Sequence, residues 1–425
     1  MTQPTRLIHV VRPSDGGIRT HVVGLAAGLP PSQFDQIVAG ALTREFQVEL
    51  ARELIPWAIV PVPGAASPRA LLHAAKQVQR LVVSRDAEIV HAHGYLAGLT
   101  AAWALRGLPQ PPGLVLTAHV FPPPLAGPSR VGLAERTAYR WLFARIDRGI
   151  AVSESIREAV AGYTEDGGGR WSVIHNGIDP ARFRRRVDPG AKRQELGLNP
   201  SAAVVGVVAR LSPEKGVDVF LRAAAQVAEE LPNVDFVVIG DGPERDALEL
   251  LAHELRLSGQ VVFLGRRRDV PEILASLDVL VAPSREESFG LAALEGVVAG
   301  VKTIASDVGG LREVLGESSS VAFVPPEDPA ALAAAIRAEL MTVRLDPEER
   351  PGGSAETLGG TLLSLADMLV SETEFNLDET GLQATAQPHA VDRRTEQEVL
   401  LDRFHIRRMV KRTIELYAEL LDARG

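Results

Sequence analysis

The run Pro283-Ser284-Arg285-Glu286-Glu287-Ser288-Phe289-Gly290-Leu291-Ala292-Ala293-Leu294-Glu295 carries the residue types of an anion seat. An apolar, strand-like stretch (Val279–Pro283) ends before it and a helical pattern follows the glycine. The free N–H groups of Gly290 and Leu291 then stand at a helix N-terminus, where donors and dipole both favour negative charge. Glu287 before the helix and Glu295 eight residues further on it are poor phosphate ligands but good acceptors for sugar hydroxyls. Taken alone, the stretch also reads as a capped helix with solvated glutamates. A second signal is Arg210-Leu211-Ser212-Pro213-Glu214-Lys215-Gly216, where two cations leave the carboxyl end of a strand in a tight loop. Arg210 and Lys215 can converge on one diphosphate and take up charge growing on a departing oxygen. The competing local reading is a loop ion pair of Lys215 with Glu214 or Asp218.

Ser14-Asp15-Gly16-Gly17 follows the first strand, where glycines permit close backbone approach to a phosphate or sugar, or simply make a turn. His21, one helical turn on, reads equally as pocket or packing. His119 sits where a strand exits, with a sugar hydroxyl or a buried polar partner as its alternatives. His91 and His93 lie two apart on one strand face, and the local sequence offers no third ligand, so no metal site is expected there. No Asp-x-Asp pair occurs anywhere in the chain. Neutralisation of a diphosphate then falls to Arg210, Lys215 and helix N-termini, and no cofactor or metal is expected.

These loops need a scaffold that ends several strands at one edge. Leu7–Val11, Gln36–Gly40, Glu88–His91, Leu114–Thr117 and Gly149–Ser153 are short apolar runs separated by helical patterns. One helix face is marked by Ile18, Val22, Leu25 and Leu29 and is stopped by Pro30-Pro31. A second alternation follows with Val204–Ala209, Val234–Gly240, Val261–Leu264, Val279–Pro283 and Thr303–Ser306, and Phe220, Ala224, Val227 and Leu231 mark a helix within it. Such β-α alternation predicts an α/β fold of two doubly wound parallel-sheet domains, with ligands outside the carboxyl ends of the strands and across the cleft between them. The expected boundaries are 1–185 for the first domain and 186–345 for the second, with Pro180–Pro200 as the polar connection. Residues 346–398 read as an acidic variable insertion with an amphipathic island at Leu362–Val370. A helix at about 400–425 returns to the first domain, its stripe made by Val399, Phe404, Ile406, Val410, Ile414, Tyr417 and Leu421.

Composition agrees with this size of scaffold. The 425 residues are 46% hydrophobic and 23% charged, enough for two or three cored domains. Absence of cysteine removes disulfides, thiolate metal sites and a cysteine nucleophile, and favours an intracellular, cytoplasmic setting. The N-terminus shows no export signal, and no apolar run reaches the roughly 20 residues of a spanning helix. The net charge of −9 argues against general nucleic-acid binding. It conceals a first half of opposite sign: residues 1–185 hold 20 basic and 14 acidic side chains. That half is suited to an anionic partner, such as an acidic acceptor or a membrane surface contacted peripherally. The arginine-rich stretch Ser129–Arg148 is the local candidate, although its charges spread around the helix as on an ordinary solvated one.

Taken in order, seven motifs resemble those of the retaining glycosyltransferases of family 4 (glycosyl transferases group 1). They are Gly-Gly-Ile-Arg-Thr-His-Val at 16–22, Ile-Val-His-Ala-His at 89–93, Ala-Val-Ser-Glu at 151–154, His-Asn-Gly-Ile-Asp at 175–179, Arg-x4-Lys-Gly at 210–216, Ile-Gly-Asp-Gly-Pro at 239–243 and Glu-x7-Glu at 287–295. The resemblance implies the GT-B architecture, two Rossmann-like domains facing across a cleft that closes on the donor. It implies a metal-independent retaining hexosyltransferase that moves a sugar from a nucleotide-diphosphate donor, uridine diphosphate among the candidates. The acceptor would be a glycan, a lipid-linked or a small molecule, with polysaccharide or glycolipid synthesis as the setting. By similarity, Arg210 and Lys215 clamp the diphosphate and Glu295 the ribose. Glu287 holds the sugar together with the Phe289, Gly290 and Leu291 backbone, His119 reaches it from the opposite domain, and Gly16 and Gly17 meet the phosphate or acceptor. Departures are Gly296-Val297 for the usual Ala-Met, Lys302 for a usual proline, and the acidic segment. Two alternatives use the same scaffold: a sugar-nucleotide epimerase or disaccharide phosphorylase, and a non-catalytic sugar-nucleotide-binding protein.

Overall fold

A computed structural model describes residues 3–14, 16–65, 67–122, 133–183, 187–345 and 396–424. Its first sheet contains β1 (Thr5–Val11), β2 (Phe34–Gly40), β3 (Trp57–Ile59), β4 (Ile89–His93), β5 (Gly113–Ala118), β6 (Arg148–Ala151) and β7 (Trp171–Val173). The second contains β8 (Ala203–Val208), β9 (Val234–Ile239), β10 (Val261–Gly265), β11 (Val279–Ala282), β12 (Lys302–Ser306) and β13 (Val321–Val324). All pairings are parallel, in the orders β3-β2-β1-β4-β5-β6-β7 and β10-β9-β8-β11-β12-β13. Parallel strands covered by helices on both faces are continuous apolar runs, which is why they are visible in the sequence. The strand order reverses between β1 and β4 and between β8 and β11, so the loops leaving these strands carry the ligand positions.

The predicted α/β architecture of two doubly wound domains is therefore present. Helix Gly17–Gly28 buries Val22 and Leu25 as expected, and helix Val217–Glu230 buries Phe220, Ala224 and Val227. Three short strands, β3, β7 and β13, have no counterpart in the sequence reading. Each lies at a sheet edge, where half-exposed residues such as Trp57 and Ile59 weaken the apolar signal.

The segment 180–200, expected as an irregular connection, instead contains helix Pro189–Glu195. Asp188 caps it by accepting from the Gly190 and Ala191 N–H groups, and Pro189 opens it, a start signal that the polar composition masked. Arg193 anchors this helix in the second domain. Its buried guanidinium donates to Asp278 Oδ2 (2.9 Å) and to the Ser276 and Ala202 carbonyls. Arg193→Ala leaves Asp278 buried without its cation and is expected to cost about 3–5 kcal/mol. Urea unfolding measures this, and a loss below about 1 kcal/mol would show that water reaches Asp278.

The C-terminal segment crosses back, as predicted, in two helices rather than one. In Glu396–Arg403 and the residue after it, Leu400, Leu401 and Phe404 join the core that also holds Leu294 and Val297. The chain then bonds to Ile178 through Phe404 O and Ile406 N (2.7 and 2.9 Å). Helix Ile406–Asp422 packs Met409, Val410, Leu416, Tyr417 and Leu420 against Leu7, Phe34, Ile89 and Val115 of the first domain. The break at His405 shifts the helical phase. Ile406, Val410, Ile414, Tyr417 and Leu421 of the expected stripe pack on this core, joined by Met409, Leu416 and Leu420, whereas Val399 is exposed.

Helix Leu133–Phe143, the described part of the arginine-rich stretch, is an ordinary surface helix. It buries Tyr139, Leu142 and Phe143 and stacks Trp141 on Trp103 at 5.3 Å. Among the described residues no helix is long and apolar enough to cross a membrane. The island Leu362–Val370, Asp15 and most of the acidic insertion lie outside the described residues.

Candidate active site

Loops after β1, β5, β8 and β11 line one cleft of about 2610 Å³. Gly16, Gly17 and His119 line it from the first domain; Arg210, Lys215, Glu287, Phe289, Gly290, Leu291 and Glu295 line it from the second. Ligand pockets commonly hold roughly 300–1,000 Å³, so this cleft is larger than one small ligand needs. Every sequence-predicted site residue thus borders the same hollow.

The two anion loops meet for a steric reason. Gly216 has φ 62°, and a Cβ there would lie 2.0 Å from the Pro283 carbonyl oxygen, so only glycine lets the turn after β8 press on the end of β11. Arg285, a residue to which the sequence reading gave no role, then fastens both loops. It forks onto Asp218 with two 2.8 Å bonds, donates to Pro213 O (2.7 Å), and its N–H reaches Glu214 O at 2.9 Å. The bond from Arg285 holds the Asp218 carboxyl below the usual range. Arg285→Ala is expected to weaken nucleoside-diphosphate binding about tenfold, given that charge-assisted bonds contribute roughly 1.5–3 kcal/mol. Calorimetric titration reads this directly; unchanged affinity would mean the loops hold their positions without it.

Lys215 Nζ lies 2.7 Å from Glu287 Oε2, which Ser284 Oγ also approaches at 3.4 Å. The competing loop pairs are absent: Glu214 accepts from Ser212 Oγ at 2.6 Å and Asp218 belongs to Arg285. Arg210 is exposed to the cleft and has no carboxylate partner among the described residues. Arg12, one residue beyond β1 on the opposite wall, is held below the ordinary guanidinium range by burial and then by the Arg210 cation. Two like charges facing one hollow favour an anion between them. Arg12 was missed in the sequence because a lone arginine carries no motif, although its place at a strand's carboxyl end marks it.

Gly290 has φ 87°, and its missing Cβ would meet Leu311 at 2.5 Å. Helix Leu291–Val298 begins there, and its first ladder bond runs from Leu294 N to Gly290 O (3.0 Å). The N–H groups of Leu291, Ala292 and Ala293 therefore have no acceptor inside the helix, and all three residues border the cleft. Glu295 is nearly buried, which raises its carboxyl above the usual range, while Arg182 at 3.4 Å pulls the other way. The Gly296 departure has a packing reason, since a Cβ would lie 2.2 Å from Leu280 Cδ2.

Ser288 Oγ donates to His119 O across the cleft (2.7 Å). Glu313 accepts from Glu154 N (2.7 Å), Ser155 N (3.2 Å) and His175 Nε2 (3.1 Å), a second latch between the domains. His119 is buried. His21 is buried behind the cleft and bonds to Oδ1 (2.9 Å) of Asn176, which borders it. His91 is held by the Tyr417 hydroxyl (2.6 Å) and Thr117 Oγ1 (2.7 Å). The expectation that His91 and His93 lack a third ligand nearby does not hold. Register pairs His9 of β1 with His91 of β4, and His21 and His119 approach His93 from other elements.

Comparison with known proteins matches residues 15–182 to the family described as Glycosyltransferase Family 4 and residues 189–345 to Glycosyl transferases group 1. The D-inositol 3-phosphate glycosyltransferase of Nocardia farcinica is 34% identical over 272 residues, 60% of this chain and 58% of that protein. The chain thus spans a little over half the length of this relative. The putative glycosyltransferase EpsD of Bacillus subtilis is 29% identical over 265 residues, 61% of this chain and 69% of that one. Among solved structures, Anabaena HepE in complex with UDP superposes with a TM-score of 0.70 at 20% identity, covering 98% of this chain and 100% of HepE. This likeness is one of fold. With both of its domains matched by family models on a GT-B frame, the chain belongs to the family 4 and group 1 glycosyltransferases.

Proposed function

We propose that this chain transfers a sugar from a nucleoside-diphosphate donor to an acceptor hydroxyl with retention at the anomeric carbon. The observation that carries this reading is the meeting of Arg210, Lys215 and the free amides after Gly290 on one cleft wall, facing His119 and Gly17 on the other. Arg210 and Lys215 hold the diphosphate, Glu295 accepts from the ribose, Glu287 and His119 contact the sugar, and charge neutralisation at the diphosphate needs no metal. The bond from the anomeric carbon to the diphosphate oxygen breaks while the acceptor oxygen bonds to that carbon on the same face. The departing phosphate oxygen takes the acceptor proton. Glu287, tied to Lys215 at 2.7 Å, is a poor nucleophile, which supports transfer without a covalent sugar-enzyme intermediate.

HepE has been solved with UDP-glucose, so uridine diphosphate sugars are the first donors to test. A relative named for inositol 3-phosphate, together with Arg12 beside Arg210, makes anionic acceptors the first to pair with them. Thermal-shift screening against uridine, guanosine and adenosine diphosphate sugars identifies the donor, and proton NMR of the product reads its anomeric configuration. An inverted product refutes retention. An isomerised donor without acceptor indicates the epimerase, and phosphate-dependent cleavage of a disaccharide the phosphorylase.

A further inference from the structure

At and behind the first-domain wall of the cleft, His119 at the wall and His9, His21, His91 and His93 behind it are buried in mutual ring contact. Two trios bring one ring nitrogen from each member within 4.8 Å of the others: His9, His91 and His93, and His21, His93 and His119. Hydrogen bonding separates them. In the first trio His91 uses both nitrogens, on Tyr417 and Thr117, and His9 uses both, on His93 and Gln36. In the second, His21 Nε2, His93 Nδ1 and His119 Nε2 are each buried with no hydrogen-bond partner.

The surrounding bonds fix where the protons are. Gln36 donates its amide to Ala26 O (2.7 Å), so its Oε1 faces His9 Nε2 (3.3 Å) as an acceptor. His9 Nε2 therefore carries the proton, and its Nδ1 accepts from His93 Nε2–H at 3.2 Å. His93 Nδ1 is left as a bare lone pair. Likewise His21 Nδ1–H donates to Asn176 Oδ1, leaving a lone pair on His21 Nε2.

We propose that His21, His93 and His119 bind one divalent ion of the zinc, cobalt or nickel class through His21 Nε2, His93 Nδ1 and His119 Nε2. Imidazole is the preferred ligand type for these ions, and three histidines are an established zinc set. Tetrahedral coordination at about 2.0–2.1 Å needs ligand nitrogens about 3.3 Å apart, and one ring nitrogen of each of the three already lies within 4.8 Å of the others. Metal-ligating histidines characteristically donate their other N–H to an oriented acceptor, and the Asn176 and Gln36–His9 contacts supply this for two of the three. The ligands come from a helix, the end of β4 and the loop after β5, so their backbones are fixed. Arg12, close enough to His119 to depress its protonation further, opposes a cation and weakens the site without removing its ligands. The inference does not rest on sugar transfer, although His119 borders the donor cleft and is shared with the proposed sugar contact.

Cobalt titration of the full chain tests it. One equivalent per chain is expected to produce the visible d–d bands of low-coordinate cobalt, displaced by zinc. The signal is lost in His21→Gln and in His93→Gln, and kept when the exposed His73 and His253 are both changed to Asn. Anomalous diffraction from zinc-soaked crystals locates the ion on the trio even where a buried variant does not fold. The proposal is overturned by absence of a saturable one-to-one signal, by its persistence in both trio variants, or by density showing only a bridging water between the lone pairs.

Discussion

Lys215→Ala is expected to lower kcat by two to three orders of magnitude under saturating donor. The donor diphosphate carries negative charge before reaction, so part of the Lys215 contribution is uniform binding and appears in the donor KM. The part that matters for rate arises because charge grows on the departing oxygen. A well-placed cation there is worth about 3–4 kcal/mol. The ammonium is oriented for this by Glu287 at 2.7 Å and by the turn that Gly216 presses onto Pro283. Arg210→Ala is expected to act similarly, with the double variant less than additive, since both cations address one group. Steady-state kinetics with the donor found by thermal shift provide the measurement. A loss below about tenfold for Lys215→Ala means the ammonium does not stabilise the departing diphosphate.

Acidification from pH 7 to 5 is expected to remove several kcal/mol of folding stability. Burial lowers His9 and His21 from 6.5 to about 4, and pushes His91, His93 and His119 well below the ordinary range, each by desolvation first. With a folded value below the unfolded one, the unfolded chain binds more protons between about pH 6.5 and 4. Stability is therefore complete above 6.5 and falls as pH drops toward 4. At pH 5 the difference amounts to about 2 kcal/mol for each of His9 and His21. Urea midpoints at pH 7, 6 and 5 measure it, and His21→Gln removes one group and flattens the slope. A midpoint constant across this range would show that these histidines are hydrated.

How much was legible follows from which contacts are local. Strands β1, β4, β5, β8 and β11 announce themselves as apolar runs, and the chemistry-bearing residues follow their carboxyl ends within a few positions. Arg210, Lys215 and the Glu287–Glu295 stretch could therefore be found from spacing. What holds them together could not. Arg285 acts through Asp218, 67 residues earlier, and Glu313 reaches back to Glu154 and Ser155 of the other domain. The histidine cluster depends on the parallel register of β1 with β4, which no local pattern encodes. Helix Pro189–Glu195 was legible through its Asp-Pro start, but a polar stretch between two apolar alternations conceals such a signal. The two-helix C-terminus was hidden because the break at Phe404-His405 is set by pairing with Ile178.

A crystal structure of the chain with a nucleoside diphosphate tests the central claim most directly. The account predicts that the pyrophosphate oxygens lie within hydrogen-bond distance of the Arg210 guanidinium, the Lys215 ammonium and the main-chain N–H groups that open the helix at Leu291. A diphosphate bound elsewhere, or one touching just a single member of that set, contradicts it.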